Sequence, residues 1–396
     1  MVRGMISLNH MKKRNMIPYS TQSISEADIR AVAKTLRSPY LTQGPAIASF
    51  EKAIAKKVGA KYAVALASGT GALHAAYAVA GLKEGDEVIV PALTFAATAN
   101  ALLYVGARPV FADVSLEDGT MSVADAEKKI TGKTKAIVPV DYAGRPAGLD
   151  ALRRLAKKHD LLLLEDGAQS LGAAFKGAPV GTQADMTMFS FHPVKSITTG
   201  EGGVIVTDNP AYDAALRIFR HHGISKDPKT FVRKNAGAWY QEMQMLGYNY
   251  RITDVQAALG ESQLKRLDSF IGKRRAAAKR YEKILAGIPG LVLPPSDDAK
   301  IRSAWHLYTV RLAPEVAHRR DEVLARLHTK GIGAQVHYLP VYLHVYYERL
   351  GYKRGLCPNA ETFAASEISL PLFPGITEKQ QMFIARTLRA ALARVA

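Results

Sequence analysis

Between residues 60 and 207 the chain alternates short apolar runs with stretches of helical periodicity, and this pattern restricts the fold more than any other feature. Strands that alternate with helices predict an α/β fold with a mostly parallel central sheet. Ligands of such sheets bind beyond the carboxyl ends of the strands. The predicted strands are residues 62–66, 87–90, 109–111, 136–140, 161–164, 186–191 and 203–206, and the predicted helices between them include 71–79, 95–104 and 149–158.

The C-terminal part of the chain has a different pattern. Residues 252–285 have helical periodicity with an interruption near Gly272, and a break rich in proline follows. After the break we predict a strand at 307–312, a helix at 321–330, a strand at 334–337 and two further helices. These elements indicate a second, smaller α/β domain. We therefore expect a flexible leader at 1–16, a large domain at 17–270 and a small C-terminal domain at 271–396.

Size and composition restrict the class of protein. A chain of 396 residues is long enough for two domains, and a hydrophobic content of 48% is that of a packed globular protein. Cys357 is the only cysteine, which excludes an intramolecular disulfide and a multi-cysteine metal site, and we expect no metal. No stretch approaches the roughly 18 apolar residues of a membrane span. We therefore expect a cytoplasmic protein without a membrane partner.

The formal net charge of +18, from 53 basic and 35 acidic residues, has three interpretations. It is compatible with nucleic-acid binding, with attraction of an anionic substrate, or with solubility alone. The basic residues are scattered, apart from a cluster at 273–280 on a predicted helix, which we interpret as a solvated helix face. Neither zinc-finger spacing nor an aromatic-basic stripe is present. We therefore expect no nucleic-acid partner.

The segment 224–246 is long and mixed in composition, and it includes Trp239 and Tyr240. A loop of this length in a compact domain is commonly either functional or disordered. We interpret the segment as such a loop.

Two charged residues follow predicted strands. Lys195 lies between the apolar run that ends at Phe191 and the glycine-rich segment 198–203, and Asp166 closes the apolar run that begins at Leu161. Taken singly, such a lysine is commonly a surface residue and such a carboxylate is as often a helix cap. Together they supply an amine that can form a Schiff base and an acid that can bind a pyridine nitrogen. These are the two groups that pyridoxal phosphate (PLP) requires, and we expect PLP as the cofactor.

A turn of small residues, Ser68-Gly-Thr-Gly71, follows a predicted strand and opens a predicted helix. Backbone N–H groups at a helix N-terminus suit a phosphate, although an ordinary strand-to-helix turn has the same composition. Ser190 is a candidate hydroxyl donor to the same phosphate. Phe95 either belongs to the core or stacks on the pyridine ring.

At these residues the chain resembles the DegT/DnrJ/EryC1/StrS family of sugar aminotransferases, which have the fold-type I architecture of PLP-dependent transferases. The resemblance extends from about residue 17 to the C-terminus. No single motif suffices for it, but the set is specific. In chain order the motifs are Tyr40-Leu-Thr-Gln-Gly44, Ala67-Ser-Gly-Thr70, Glu165-Asp-Gly-Ala-Gln169, Phe189-Ser-Phe-His192 with Lys195, and Glu201-Gly-Gly203.

The resemblance implies catalytic roles for two matching residues and a cofactor contact for a third. Lys195 would form the Schiff base, Asp166 would pair with the pyridine nitrogen, and Gln169 would lie near the phenolic oxygen of the cofactor. Members of the wider family that replace the lysine with histidine catalyse dehydration. The presence of Lys195 therefore favours transamination.

The resemblance also implies how the rest of the cofactor is held. Gly69, Thr70 and Ser190 would bind the phosphate, and Phe95 would stack on the ring. Asn249 would reach the phosphate of the neighbouring subunit's cofactor. This last role implies a homodimer with shared active sites.

Within the family, residues 140–144, 239–240, 246–254, 334–340 and 365–371 are most similar to transaminases of pseudaminic acid biosynthesis. This resemblance implies that L-glutamate donates an amino group to C4 of a UDP-linked 4-keto-6-deoxy-N-acetylhexosamine, giving UDP-4-amino-4,6-dideoxy-N-acetyl-β-L-altrosamine. Basic and polar groups would hold the diphosphate of the UDP-sugar. The candidate residues are Arg220, Arg251, His306, His337 and Tyr338.

Two other functions are compatible with the sequence. One is an aminotransferase for a dTDP- or GDP-linked keto-sugar, acting at C3 or C4. The other is a PLP-binding or nucleic-acid-binding regulator without turnover, which only the charge of +18 supports and which Lys195 and Asp166 argue against. The fold does not decide between them, because one fold hosts several chemistries.

Overall fold

A computed structural model describes residues 16–233 and 237–393 of the chain, so the predicted leader lies outside the described residues except for Met16. The described residues form fifteen strands. Their bounds are β1 (Tyr62–Leu66), β2 (Glu87–Pro91), β3 (Arg108–Ala112), β4 (Thr134–Ile137), β5 (Leu162–Asp166), β6 (Ala174–Phe175), β7 (Ala178–Pro179), β8 (Met186–Ser190), β9 (Gly203–Thr207), β10 (Ile224–Ser225), β11 (Glu242–Met243), β12 (Leu291–Val292), β13 (Ile301–Arg302), β14 (Tyr308–Leu312) and β15 (Glu367–Leu370).

The same residues form fourteen α-helices, and none of the described helices combines the length and the apolar character needed to cross a lipid bilayer. Their bounds are α1 (Glu26–Leu36), α2 (Pro45–Val58), α3 (Gly69–Val79), α4 (Ala97–Tyr104), α5 (Val123–Lys128), α6 (Leu149–Lys158), α7 (Pro210–Phe219), α8 (Asp254–Leu264), α9 (Leu267–Leu285), α10 (Pro314–Ala317), α11 (Arg320–Thr329), α12 (Val345–Arg349), α13 (Pro358–Ser366) and α14 (Glu378–Ala393).

The central sheet has the strand order β1-β9-β8-β5-β4-β2-β3. β9 is antiparallel to β1 and β8, and every other neighbouring pair is parallel. The prediction of an α/β fold with a mostly parallel sheet is confirmed, and each of the seven predicted strands is a member of this sheet. The strands are apolar at successive positions because helices cover both faces of the sheet.

A three-stranded antiparallel sheet, in the order β12-β14-β15, forms the centre of the smaller C-terminal α/β part. α9, α11 and α14 pack against it in one hydrophobic cluster. The predicted strand at 334–337 is reduced to a single bridge between Gln335 and Ser369. β15 was not predicted, because Glu367 and Ser369 alternate with its apolar residues and yet are buried.

The two hydrophobic cores do not correspond to two continuous segments of the chain. Val341, Tyr342, Tyr347 and Phe363 belong to the cluster around the central sheet, although they lie in the segment 341–364, within the predicted small domain. Ile17, at the other end of the chain, belongs to the cluster of the small sheet. The division at residue 270 therefore stays a prediction.

The long helical segment breaks earlier than its sequence indicates. α8 ends at Leu264 and α9 begins at Leu267, whereas Gly272 lies inside α9, where an added Cβ would meet no other atom. Arg266, at the break, donates a hydrogen bond to the buried Asp28 of α1. A tertiary contact therefore fixes the break, and the glycine is tolerated within a helix at a modest cost.

The described parts of the segment 224–246 contain short elements of regular structure, whereas we predicted a loop. β10 and β11 pair as a short antiparallel ribbon, and a 3₁₀ turn at Pro228–Thr230 follows β10. Glu242 accepts hydrogen bonds from the backbone N–H groups of Val232 and Arg233. Residues 234–236 lie outside the described residues. We name the segment 224–246 the arm.

A buried arginine connects the two parts of the molecule. Arg274 of α9 is 1% exposed, and its guanidinium donates to the backbone oxygens of Val194, His306 and Leu372 at 3.3, 3.2 and 2.9 Å. Val194 lies in the turn that carries Lys195, and the other two acceptors lie in the C-terminal part. Burial lowers the pKa of Arg274 to about 10, so the side chain stays charged at neutral pH.

We predict that Arg274→Met lowers the free energy of unfolding by about 3 kcal/mol, because buried carbonyl groups lose their donor. Chemical denaturation measures this change. Lys273→Met, on the exposed neighbouring position, is the control and should change stability by less than about 0.5 kcal/mol. Equal stability of the two variants would contradict the structural role of the guanidinium.

Candidate functional site

Several segments that follow strands of the central sheet end at the same edge of that sheet. β1, β2, β5 and β8 run in one direction, so the segments after their carboxyl ends lie side by side. A cavity of about 450 Å³ opens there. It is lined by Tyr19, Ser68, Gly69, Thr70, Leu73, Thr94, Phe95, Ala97, Val140, Asp166, Ala168, Gln169, Met188, Ser190, His192, Val194, Lys195, Glu201, His306, His337 and Tyr338.

Lys195 lies half-buried in the wall of this cavity. It sits in a turn after β8, where its own N–H donates to the backbone oxygen of His192. Burial lowers the pKa of Lys195 to about 8; the carboxylate of Asp166 opposes the change and Arg274 adds to it. The amine is therefore neutral in a substantial fraction of molecules near neutral pH, which is what a nucleophile requires.

Asp166 is the last residue of β5 and is 4% exposed. Its Oδ2 accepts a hydrogen bond from the hydroxyl of Thr98 at 2.6 Å, and its Oδ1 accepts one from the N–H of Ala168 at 3.1 Å. Burial raises the pKa of Asp166, while these two donors and the charge of Lys195 oppose the rise. The hydrogen bonds keep the carboxyl group directed at the cavity.

Two further carboxyl groups lie behind Asp166. Asp141 and Glu165 are 0% and 2% exposed, and among the described residues nothing donates a hydrogen bond to Oδ2 of Asp141 or Oε1 of Glu165. Burial raises the pKa of Asp141 to about 7 and raises that of Glu165 well above its ordinary value; Asp141 adds to the shift of Glu165, whereas a hydrogen bond from a protonated Glu165 opposes that of Asp141. A proton shared between the pair removes one negative charge from the surroundings of Asp166.

In the turn after β1, the backbone at Gly69 lies close to the side chain of Ser190. The hydroxyl of Ser68 caps α3 by accepting from the N–H of Gly71 at 3.0 Å, and the first N–H groups of the helix face the cavity end. A Cβ at position 69 would lie 3.0 Å from the Cβ of Ser190. Glycine is therefore needed for Ser190 and the helix N-terminus to meet, and together with Thr70 they form a cradle suited to a phosphate.

Aromatic and amide groups line the cavity where Tyr338 of the C-terminal part meets Gln169 and Phe95. Gln169 donates to the hydroxyl of Tyr338 at 3.0 Å and accepts from the N–H of Ala143 at 2.8 Å. The rings of Phe95 and Tyr338 are 6.0 Å apart. Phe95 is 59% exposed, so it belongs to the cavity rim rather than to the core.

The two candidate histidines in the cavity are held neutral. Burial is the main cause that lowers the pKa of His306 well below its ordinary value, and Lys195 and Arg274 add to it. Burial followed by the charge of Lys195 lowers the pKa of His337 to about 4. Both rings therefore offer hydrogen bonds rather than positive charge to a ligand.

Three candidate residues lie outside this cavity. Arg220 and Arg251 line a second one of about 290 Å³, in which Arg220 is bound to Glu51 while Arg251 lies 3.0 Å from Nδ1 of His221. Asn249 is exposed and forms a bridge with His221. Their roles as ligand contacts stay predictions.

Sequence reasoning missed two residues that the site depends on, Thr98 and Arg274. Thr98 lies one helical turn after Thr94 and bonds to it at 2.8 Å, a spacing visible in the sequence, but its contact with Asp166 is tertiary. Arg274 lies in the basic cluster that we interpreted as a solvated helix face. Nothing in the charge pattern distinguishes this buried arginine from the exposed or half-buried basic residues beside it.

Comparison with known proteins agrees with this geometry. A UDP-4-amino-4,6-dideoxy-N-acetyl-beta-L-altrosamine transaminase of Campylobacter jejuni is 38% identical over 383 residues, which are 96% of this chain and 98% of the relative. The structure of Helicobacter pylori PseC, an aminotransferase involved in the biosynthesis of pseudoaminic acid, superposes with a TM-score of 0.89 at 33% identity, covering 96% of this chain and 100% of that one.

A third similar protein has been solved in two cofactor states. The putative sugar aminotransferase Spr1654 of Streptococcus pneumoniae, in its PLP and PMP forms, superposes with a TM-score of 0.90 at 32% identity, covering 96% of this chain and 100% of that one. The family model of these enzymes matches residues 22–389. With the fold, the cavity and the motifs in agreement, the chain belongs to the DegT/DnrJ/EryC1/StrS aminotransferase family.

Proposed function

We propose that this chain is a cytoplasmic PLP-dependent aminotransferase that moves an amino group from L-glutamate to C4 of a UDP-linked 4-keto-6-deoxy-N-acetylhexosamine, as in pseudaminic acid biosynthesis. One observation carries the proposal: a lysine with a pKa near 8 shares a cavity with a buried carboxyl group and a phosphate cradle. The names of the Campylobacter and Helicobacter relatives support the sugar.

The residues of the cavity fit PLP. The cradle of Gly69, Thr70 and Ser190 would take the phosphate, and Asp166 would bind the pyridine nitrogen. Phe95, on the rim, has a face available for the ring. When bound, PLP supplies an aldehyde that holds amino groups covalently and a ring that withdraws electrons from the bond being broken.

Asp166 would hold a proton on the pyridine nitrogen. Ionisation of a buried carboxyl is costly, and the hydrogen bonds from Thr98 and Ala168 reduce that cost. A proton held by the pair Asp141 and Glu165 would lower it further, because only one net negative charge would then lie behind Asp166. The carboxylate would keep the ring positively charged while a proton leaves the substrate.

Lys195 would move protons between the substrate carbon and the cofactor carbon. Its neutral amine takes the proton and its ammonium form returns it. A pKa near 8 makes both forms accessible near neutral pH, which is the condition for efficient proton transfer. Because the amine reaches the cavity from one side, the new C–H bond would form on one face of the sugar carbon.

His306, His337 and Tyr338 are suited to the sugar rather than to the diphosphate, because all three are neutral at physiological pH. The doubly charged diphosphate needs a cation. Arg220 is occupied by Glu51, so Arg251 is the better candidate. It lies outside the cavity of its own subunit, and it would act on the site of a neighbour.

Because Arg251 lies outside the cavity of its own subunit, we propose a homodimer with shared active sites. Asn249, two residues from Arg251, is exposed and does not line the cavity that holds Lys195. Large apolar side chains close to Asn249 in the sequence, or in the segment 40–42 that pairs with residues 253–254, are also exposed and would be covered in a dimer. These are Tyr40, Leu41, Trp239, Leu246 and Tyr248.

The proposed substrates can be tested by spectroscopy. Purified protein with PLP should show a visible absorbance band that glutamate shifts to the ultraviolet and that the UDP-linked 4-keto sugar restores. dTDP- and GDP-linked keto-sugars should restore it at least about tenfold more slowly. Faster restoration by one of these would favour the alternative substrate, and a band that ignores glutamate would overturn the proposed donor.

The pKa of Lys195 predicts how the free protein takes up PLP. Only the neutral amine reacts, so the rate of band formation should rise with pH and level off above about pH 8. A rate that climbs steadily to pH 10 would indicate an ordinary lysine. Lys195→Ala should form no visible band, and Lys157→Ala, on the exposed side of α6, should behave as wild type.

Hybrid dimers test the shared site. Lys195→Ala and Asn249→Ala should each be impaired as homodimers. When the two variants are coexpressed in equal amounts, half of the dimers are hybrids. Each hybrid has one wild-type site. Activity should therefore return to about a quarter of wild type. Activity no higher than the mean of the two homodimers would show that Asn249 does not act across the interface.

A further inference from the structure

One histidine of the cavity is connected to a buried carboxyl group. Nδ1 of His337 lies 2.9 Å from Oγ of Ser369, and this hydroxyl is within hydrogen-bond distance of Oε1 of Glu367. Glu367 and Ser369 are 0% and 1% exposed and lie two residues apart on one face of β15. We name these three side chains the relay; it runs from the cavity into the interior of the protein.

The hydrogens of the relay have two consistent arrangements. The backbone N–H of His337 donates to Oε2 of Glu367 at 2.8 Å, which leaves Oε1 for Ser369. When Glu367 is ionised, Ser369 donates to it and the ring donates from Nδ1 to Ser369, so that Nε2 is an acceptor. When Glu367 is protonated, it donates to Ser369, Ser369 donates to Nδ1, and Nε2 carries the hydrogen.

We propose that Glu367 and Ser369 are positioning residues that set the tautomer of His337, so that one ring offers either a hydrogen-bond acceptor or a donor to the bound substrate. The two states differ by one proton. It enters or leaves at Nε2 and is stored on Glu367, so the ring is neutral in both states. This inference rests on the proposed function, because it assigns the relay to the two substrates proposed above.

The two substrates need opposite partners in the same cavity. The carboxylates of glutamate only accept hydrogen bonds, whereas the N–H of the sugar's N-acetyl group only donates one, and we pair His337 with that N–H. A fixed donor or a fixed acceptor at His337 would leave a mismatch with one of the two, at a cost of about tenfold in affinity. A ring that changes tautomer meets both substrates in turn.

The electrostatics of the relay place the stored proton on the carboxyl group. Burial raises the pKa of Glu367 to about 8, and the hydrogen bonds from Ser369 and the N–H of His337, together with the charge of Arg320, oppose the rise. Since the pKa of His337 is lowered to about 4, the imidazolium form is disfavoured at neutral pH. Below about pH 8 the relay therefore carries the hydrogen on Nε2, and above it on Nδ1.

Other ionisable groups face the relay from the elements packed around it. Arg320 of α11 donates to the backbone oxygen of Glu367 at 3.3 Å. The hydroxyl of Tyr142 donates to the backbone oxygen of His337, and the ring of Tyr338 is 4.8 Å from that of His337. Burial raises the pKa of both tyrosines, so they stay neutral, as does Tyr19, whose ring is 5.7 Å from that of His337.

Lys195 and His306 face the relay from the cavity. The charge of Lys195 lowers the pKa of His337, and His306 is itself neutral. Without PLP, Lys195 and Glu367 therefore both change charge near pH 8, so the measurement has to observe the ring of His337 directly.

Glu367→Gln holds one of the two states. The backbone N–H of His337 needs the amide oxygen, so the amide NH₂ faces Ser369 and donates to it. The ring should then keep its hydrogen on Nε2 at every pH.

Ser369→Ala interrupts the relay without changing Glu367. Ser366→Ala is the matched control, because Ser366 is 2% exposed and its hydroxyl bonds to the backbone oxygen of Thr362 instead.

Nitrogen-15 NMR of histidine-labelled protein with bound PLP reports the tautomer, and His337→Asn identifies the signals of His337. In the wild type and in Ser366→Ala, the protonated nitrogen should change from Nε2 to Nδ1 as the pH rises through about 8. Glu367→Gln should keep Nε2–H throughout, and Ser369→Ala should show a mixture at every pH. The same titration in Glu367→Gln as in wild type would overturn the proposal.

Separate half-reactions test the consequence for the substrates. In Glu367→Gln, the KM for the UDP-sugar should rise about tenfold, while the KM for glutamate changes less than about twofold. Equal changes for both substrates would contradict selection by the tautomer. If the wild type used neither substrate, the proposed function would fail, whereas the NMR titration would still decide whether the relay sets the tautomer.

Discussion

The guanidinium of Arg274 holds in place the segments from which the site is built. It binds backbone oxygens of Val194, beside Lys195, and of His306 and Leu372 in the C-terminal part. A buried cation that is met by carbonyl dipoles is stable only while every acceptor stays in position. Its charge also contributes to the lowered pKa of Lys195, so the same interaction fixes the position of the amine and adjusts its chemistry.

Burial supplies most of the remaining electrostatics of the site. It lowers the pKa of Lys195 and raises that of Asp166, so both groups titrate closer to neutrality than they would in water. Specific hydrogen bonds, from Thr98 to Asp166 and within the relay, then decide where each remaining proton resides. The site thus combines a general effect of low polarity with a few directed donors.

The central sheet could be predicted because its strands are buried on both faces and read as continuous apolar runs. The positions of Lys195 and Asp166 followed, since the carboxyl ends of such strands meet at one edge. β15 and the break before α9 could not be predicted in this way. Glu367 and Ser369 bond to His337, and Arg266 bonds to Asp28. These partners are distant in sequence, and periodicity carries no information about them. Arg274 was misread as a solvated residue for the same reason.

The packing of the segment 341–364 against the central sheet has a consequence for how the molecule can be divided. The chain contributes β14 and α11 to the small core, then Tyr342, Tyr347 and Phe363 to the large core, and then β15 and α14 to the small core again. Neither core is complete without chain from both sides of residue 270. The two parts are interlocked by their own connectivity, so an excised N-terminal fragment would expose an apolar face that the C-terminal part normally covers.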